Sequence, residues 1–231
     1  LPPLIAFLIL LRSTGFVIVI IFFAITWHIQ NLKLSIIQTC KLLLLTILFL
    51  SPWIYRNYLV FDSLVISSTN GGFNFLMGNH FNSKGYINFD FDYNIKNPNE
   101  VAESNIAYSK GINDISKDYI NFLKKIPLKI LFSYWRADSS LTWTFKSYSG
   151  AFNKLIIACI FYFNFIYFLF VISFFMIRLL FIKKQTILFI DKLCLLIYLF
   201  FLLLIIVYVG NERYIISLYP IHFYFFVKQI G

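Results

Sequence analysis

Three short clusters hold most of the residues in this chain that could do chemistry. Pro52-Trp53-Ile54-Tyr55-Arg56-Asn57-Tyr58 sets a guanidinium among aromatic rings. Ser68-Thr69-Asn70-Gly71-Gly72-Phe73-Asn74-Phe75-Leu76-Met77-Gly78-Asn79 combines glycines with amides. Asn211-Glu212-Arg213-Tyr214 wedges an acid–base pair between two apolar runs. Arg offers a planar fork for phosphate oxygens that Lys lacks. Gly72 and Gly78 permit turns and close backbone approach, while Asn70, Asn74 and Asn79 supply donors and acceptors suited to hydroxyls or phosphate. The chemistry on offer is recognition of phosphate and hydroxyl groups.

Each cluster also has a purely structural account. A Trp–Tyr belt with an Arg is common where a helix leaves a membrane. A turn can have the composition of the second cluster, which matches no P-loop or dinucleotide fingerprint. Glu212 and Arg213 could simply neutralise one another at two helix ends, although charges at the rim of a membrane bundle are costly enough to suggest function. Thiol and metal chemistry are poorly served. Cys40, Cys159 and Cys194 lie far apart in or beside apolar runs, without a C-x-x-C, and read as small buried hydrophobes. His28 and His222 sit near the ends of apolar segments and are expected to be interfacial or packed.

The elements that must position these clusters follow from composition. Of 231 residues, 60% are hydrophobic and 13% charged, with a mean hydropathy of +0.78. Soluble domains carry about 25% charged residues, so an ordinary soluble domain is excluded and a polytopic membrane protein is expected. Twenty Lys and Arg against ten Asp and Glu give +10. That excess could signal nucleic acid as a partner, but it fits the basic cytoplasmic loops of a membrane protein better. No nucleic acid is expected.

A crossing helix needs about 20 apolar residues. Five segments qualify or come close: 4–27, 36–54, 155–177, 193–210 and the shorter 214–227. The first is either one span or a short piece followed by a second helix, since Arg12, Ser13 and Thr14 interrupt it. Lys33 and Lys41 lie between the first two spans, Arg178, Lys183, Lys184 and Lys192 between the third and fourth, and Lys228 after the fifth. The positive-inside rule puts these in the cytoplasm, so 56–150 and the turn at 210–213 face outward. The expected architecture is all-α: a polytopic helix bundle with a mixed outer loop subdomain. Residues 1–55 form transmembrane helices with a cytoplasmic loop near 30–41, residues 56–150 the outer subdomain, and residues 151–231 the C-terminal transmembrane helices.

Within the outer segment, Leu64 to Thr69 looks like a strand, and Asn70-Gly71-Gly72 is a turn signal. From Asn99 the pattern becomes helical. Ile115, Tyr119, Phe122, Leu123 and Ile126 share one helix face, and Pro127 should end the helix. Beyond it, Leu128, Leu131, Phe132 and Trp135 form another apolar face. Its neighbours Lys124, Lys125, Lys129 and Arg136 are expected at lipid headgroups.

In order and spacing, these motifs resemble a known family. Pro-Trp-x-x-Arg-Asn-Tyr precedes Ser-Thr-Asn-Gly-Gly-x-Asn-x-x-x-Gly-Asn. An amphipathic helix ending Tyr-Ile-x-Phe-x-x-x-x-Pro follows, then Glu-Arg-Tyr with Pro220 six residues after Tyr214. The pattern, from about Arg12 onward, is similar to the C-terminal part of bacterial GT-C glycosyltransferases, the group related to protein O-mannosyltransferases and lipid A aminoarabinose transferases. Ser13 departs from it, standing where Pro is more usual.

The resemblance implies a multi-pass protein of the bacterial inner membrane. It would take a sugar from a polyprenyl-phosphate donor and pass it to an acceptor on the outer side. It implies that Arg213 contacts the donor phosphate, that Glu212 and Tyr214 shape the site, and that Arg56, Asn57, Gly72 and Asn79 line the cavity. The catalytic carboxylate of that family lies in a first outer loop, and nothing here matches it. The chain, which opens Leu1-Pro2-Pro3, is therefore expected to be the C-terminal part of a longer protein. Asp62, Asp90, Asp92 and Asp138 are not promoted to that role. No cofactor is predicted; a divalent metal is compatible with the residues but not written in them. The competing readings are a polysaccharide polymerase or ligase and a multispan transporter. A transporter usually shows ionisable groups inside its spans, and here the longest span has only Asn164 as a polar interruption.

Overall fold

The computed structural model describes residues 1–86, 95, 99–135, 155–156, 158–159, 162, 166, 189–211, 214–215 and 217–230. Among them, regular structure is helical apart from one parallel bridge between Tyr86 and Gly210. The helices are α1 (Pro2–Leu11), α2 (Val17–Ile29), α3 (Leu32–Phe61), α4 (Gly71–Asn79), α5 (Glu100–Lys117), α6 (Tyr119–Trp135), α7 (Phe189–Val207) and α8 (Tyr219–Ile230). The chain divides into two compact units: Leu1–Phe73 with Asp92–Ser109 and Phe189–Ile197, and Asn74–Phe91 with Lys110–Leu188 and Tyr198–Gly231. The described residues between 56 and 135 fall partly in each unit.

In the first unit the segment 4–27 resolves into two helices. Arg12 adopts an extended backbone (φ −159°, ψ 128°), and a 3-10 turn, Ser13–Phe16, leads into α2. Gly15 packs on the backbone of Leu8 and Ile9, where a Cβ would come within 2.9 Å. The missing side chain lets the turn fold back onto α1.

Helix α3 is longer than the apolar run that announces it. The Asn31 side chain accepts the Leu34 N–H at 2.9 Å and caps its start, a favoured N-cap arrangement. Asp62, in the left-handed region at φ 50°, closes it by donating to the Tyr58 carbonyl. Pro52 lies inside the helix and cannot donate to the Leu48 carbonyl. Ser51 Oγ donates to that carbonyl at 2.7 Å, so the helix continues. Arg56 and Asn57 therefore sit on α3 and not beyond it.

Ile5, Ala6 and Ile9 of α1, Val19 of α2, and Leu42 and Leu50 of α3 form one buried core. The opposite faces stay apolar: Phe7, Leu11, Leu44 and Leu48 are exposed. Among the described residues two helices, α3 and α7, are long and apolar enough to cross a membrane. At 1.5 Å per residue, α1, α2 and α8 each fall short of the roughly 30 Å hydrocarbon core. The expected span 155–177 lies largely outside the described residues.

Three local expectations fail. Leu64 to Thr69 is irregular and not a strand, and its Val65 carbonyl accepts from the Asn57 Nδ2 side chain at 3.0 Å. The glycine-rich cluster winds into α4 and is not an open turn. Pro127 does not end α6. Lys125 before it and Lys129 after it are both anchored on backbone carbonyls, so both halves of the helix stay in line. The true break is Asp118, whose Oδ1 accepts the Asn121 N–H at 2.9 Å.

Candidate functional site

In the first unit, Arg56 is exposed on the last turns of α3. Its guanidinium lies 5.3 Å from the Trp53 ring centroid and donates from Nη1 to Asn57 Oδ1 at 2.9 Å. Asn57 is buried and held through Val65. A cationic group stacked on one side chain and hydrogen-bonded to another is pre-oriented for an anion. Gly72 has a different task. Its N–H donates to Ser104 Oγ at 3.1 Å, and a Cβ would overlap the Ser104 carbonyl. Gly72 brings α4 against α5, and its backbone donor is already used.

The second unit holds a polar node built by Asn79, Lys129 and the end of α7. The last carbonyls of any α-helix lack intrahelical partners. Lys129 Nζ donates to the carbonyls of Ile206 and Tyr208, each at 2.8 Å, and to Asn79 Oδ1 at 2.8 Å. Asn79 Nδ2 donates to the Val207 carbonyl and to Phe75, again at 2.8 Å. Three successive carbonyls are thus capped by two side chains. Gly78 packs directly on Tyr208. Gly210 donates to the Gly85 carbonyl at 2.8 Å, with a Lys129 backbone atom within 2.6 Å of where its Cβ would stand.

Lys129 is fully buried, and that burial, with Lys125 nearby, pulls its ammonium down to about 7. The negative end of α7 and three acceptors favour the charge. Lys125, also buried, donates to the His80 carbonyl at 2.6 Å. Burial lowers the Lys125 pKa, against Asp114 and Asp118. His80 Nδ1 accepts from the Asn82 N–H at 3.1 Å, which leaves the proton on Nε2, 3.9 Å from Asp114 Oδ2. Burial also lowers the His80 pKa; Asp114 opposes this, while Lys110 and Lys125 reinforce it.

Of the residues expected at the site, Arg56 presents a charged group outward. Asn79 joins the second cluster to the segment just before the third, but its amide is engaged within the protein. Tyr214 donates its N–H to the Asn211 carbonyl at 3.2 Å. Glu212 and Arg213 lie outside the described residues, as do Asp90, Asp92, Asp138 and Arg136. Lys125 and Lys129 are corrected from headgroup ligands to buried donors, because the α7 carbonyls and the turn at His80 need partners. A signal for this existed: Lys125, Lys129 and Ser133 recur at i, i+4 and i+8, a polar stripe on one helix face.

His28 stacks on Phe189 at 3.8 Å; His222 is buried among the rings of Tyr134, Tyr198 and Tyr219. Among the described residues no group of three His, Cys, Asp or Glu could hold a metal ion. Compared with protein-family models, with curated proteins and with solved structures, the chain matches none.

Proposed function

We propose that this chain is the C-terminal part of an integral-membrane glycosyltransferase of the bacterial cell membrane. It takes a sugar from a polyprenyl-phosphate donor and serves an acceptor on the outer side. The observation that carries this reading is the Arg56 guanidinium, exposed near the end of a crossing-length helix and held by Trp53 and Asn57. A lipid-linked donor is reached laterally from the bilayer, so its phosphate lies at headgroup depth, where such a helix ends. A fixed cation there stabilises charge on the departing lipid phosphate. A carboxylate base activates the acceptor hydroxyl in such a reaction, and the resemblance marks none of this chain's acids for that role. The ordered motifs that resemble the GT-C group support the same assignment.

The test is binding of sugar-free polyprenyl phosphate to the purified chain in nanodiscs, with polyprenol as the uncharged control. Wild type should prefer the phosphate, and Arg56→Ala should lose about 10-fold or more of that preference, the value of one charge-assisted contact. Equal binding of polyprenol and its phosphate by wild type would sink the proposal.

A further inference from the structure

We propose that the outward face of α6 is a lipid-contacting surface and that this helix lies along the bilayer interface. Its polarity is inside out. Tyr119, Ile120, Leu123, Leu128 and Leu131 are each between 38% and 64% exposed, and with the exposed Pro127 they fall on one side of the helix. The side turned into the protein carries Lys125, Lys129 and Ser133, all buried. A helix bathed in water arranges these the other way round. With lipid outside, the arrangement is the natural one, because polar groups turn to protein partners and apolar groups face the acyl chains.

The depth of the helix follows from what its buried lysine holds. Lys129 donates to the carbonyls of Ile206 and Tyr208 at the C-terminal end of α7, a 19-residue apolar helix. At 1.5 Å per residue α7 is about 28 Å long, close to the hydrocarbon thickness. Its end therefore marks the boundary between acyl chains and headgroups, and α6 is fastened there. Lys124, exposed within the apolar face, has a stem long enough to carry its charge up to the headgroups. Lipid is thus favoured over water and over a second protein surface. The inference concerns membrane contact alone and stands apart from the donor chemistry.

The experiment uses the whole chain with Cys40, Cys159 and Cys194 replaced by Ala, reconstituted in vesicles of phosphatidylethanolamine and phosphatidylglycerol. Nitroxide labels are placed singly at Leu123, Leu128, Asn113 and Leu44, and collisions with oxygen and with a neutral nickel chelate are measured. Leu123 and Leu128 should lose nickel collisions relative to the exposed Asn113 while keeping oxygen collisions. Nickel collisions equal to those at Asn113 would mean that water covers the face. Loss of both kinds would mean that protein covers it. Either result overturns the proposal, and lipid-type behaviour at Leu44 of α3 would leave the membrane assignment of α3 intact.

Discussion

The Lys129 ammonium lies 2.8 Å from the Asn79 amide oxygen, fifty positions away along the chain. That contact joins α6 to the last residue of α4, and both side chains then reach the terminal carbonyls of α7. The backbone from Ile206 to Gly210 is held from several directions immediately before Asn211-Glu212-Arg213-Tyr214. Asn79 was expected to offer its amide to a ligand. Its geometry makes it a strut that fixes where the following motif begins.

Lys129→Met should therefore loosen this segment. It removes the desolvation cost of a buried ammonium but strands three acceptors, each costing about 1–3 kcal/mol when buried without a donor. Removing one partner from a buried charged network is strongly destabilising. The expected net loss is roughly 2–4 kcal/mol. It should be accompanied by faster hydrogen exchange at the Gly210 amide, measured on the whole chain in detergent. Unchanged exchange with unchanged stability would remove the capping role.

The same lysine sets a pH dependence. Burial first, and Lys125 second, hold folded Lys129 at about 7, against an ordinary value of 10.5. Between those values the unfolded chain binds the extra proton, so stability rises with pH across that window and is lost again as pH falls towards 7. The slope is at most about 1.4 kcal/mol per pH unit. His80, Lys110, Asp114, Lys125 and Asp118 surround the node but are common to wild type and Lys129→Met. The stability difference between the two should widen as pH rises from about 7 to 10.5. Parallel curves would mean that Lys129 titrates like an exposed lysine.

Much of the scaffold was legible from local pattern. The break at Arg12, the start of α5 after Asn99 and the membrane-length helices all follow from capping residues and apolar runs. What was not legible depended on long-range partners. Leu64 to Thr69 has strand-forming residues, yet its Val65 carbonyl is taken by Asn57. Lys129 looks like a headgroup ligand until the Ile206 and Tyr208 carbonyls, 77 and 79 residues beyond it, are brought beside it, and Lys125 until the His80 carbonyl, 45 residues before it, is. Pro127 is a helix breaker locally and is overruled by the same anchors. The surroundings of Arg56 follow from its own motif, because Trp53 and Asn57 hold it within one turn.

The glycines of the second cluster should separate by what their missing side chains would strike. A Cβ on Gly78 would overlap the Tyr208 carbonyl, and one on Gly72 the Ser104 carbonyl. Neither backbone can move without shifting a helix. At Gly71 the obstacle is the Tyr108 hydroxyl, the far end of a side chain that can swing away. Gly78→Ala and Gly72→Ala are expected to cost about 3 kcal/mol or more, at the upper end of overpacking penalties. Gly71→Ala should stay within about 1 kcal/mol of wild type, since helix propensity offsets the clash. Melting temperatures of the three variants in one detergent decide it, and three equal shifts would contradict the packing assigned to α4.

The sharpest prediction concerns Arg213, whose role rests on sequence resemblance because it lies outside the described residues. If it grips the donor phosphate, Arg213→Lys should not restore activity, because an ammonium lacks the planar fork for two phosphate oxygens. Arg213→Ala should remove a charge-assisted contact of about 1.5–3 kcal/mol, a roughly 10–150-fold loss in use of the donor. If Arg213 merely pairs with Glu212 at a helix end, the interaction contributes only about 0–1 kcal/mol, and transfer kinetics should hardly change once expression is matched. The deciding measurement is transfer rate against donor concentration for wild type, Arg213→Ala and Arg213→Lys, in a form of the protein active in transfer. A loss in Arg213→Ala that Arg213→Lys fully repairs would reduce the contact to a simple charge. Wild-type kinetics in both variants would take Arg213 out of the site and leave the polyprenyl-phosphate reading resting on Arg56.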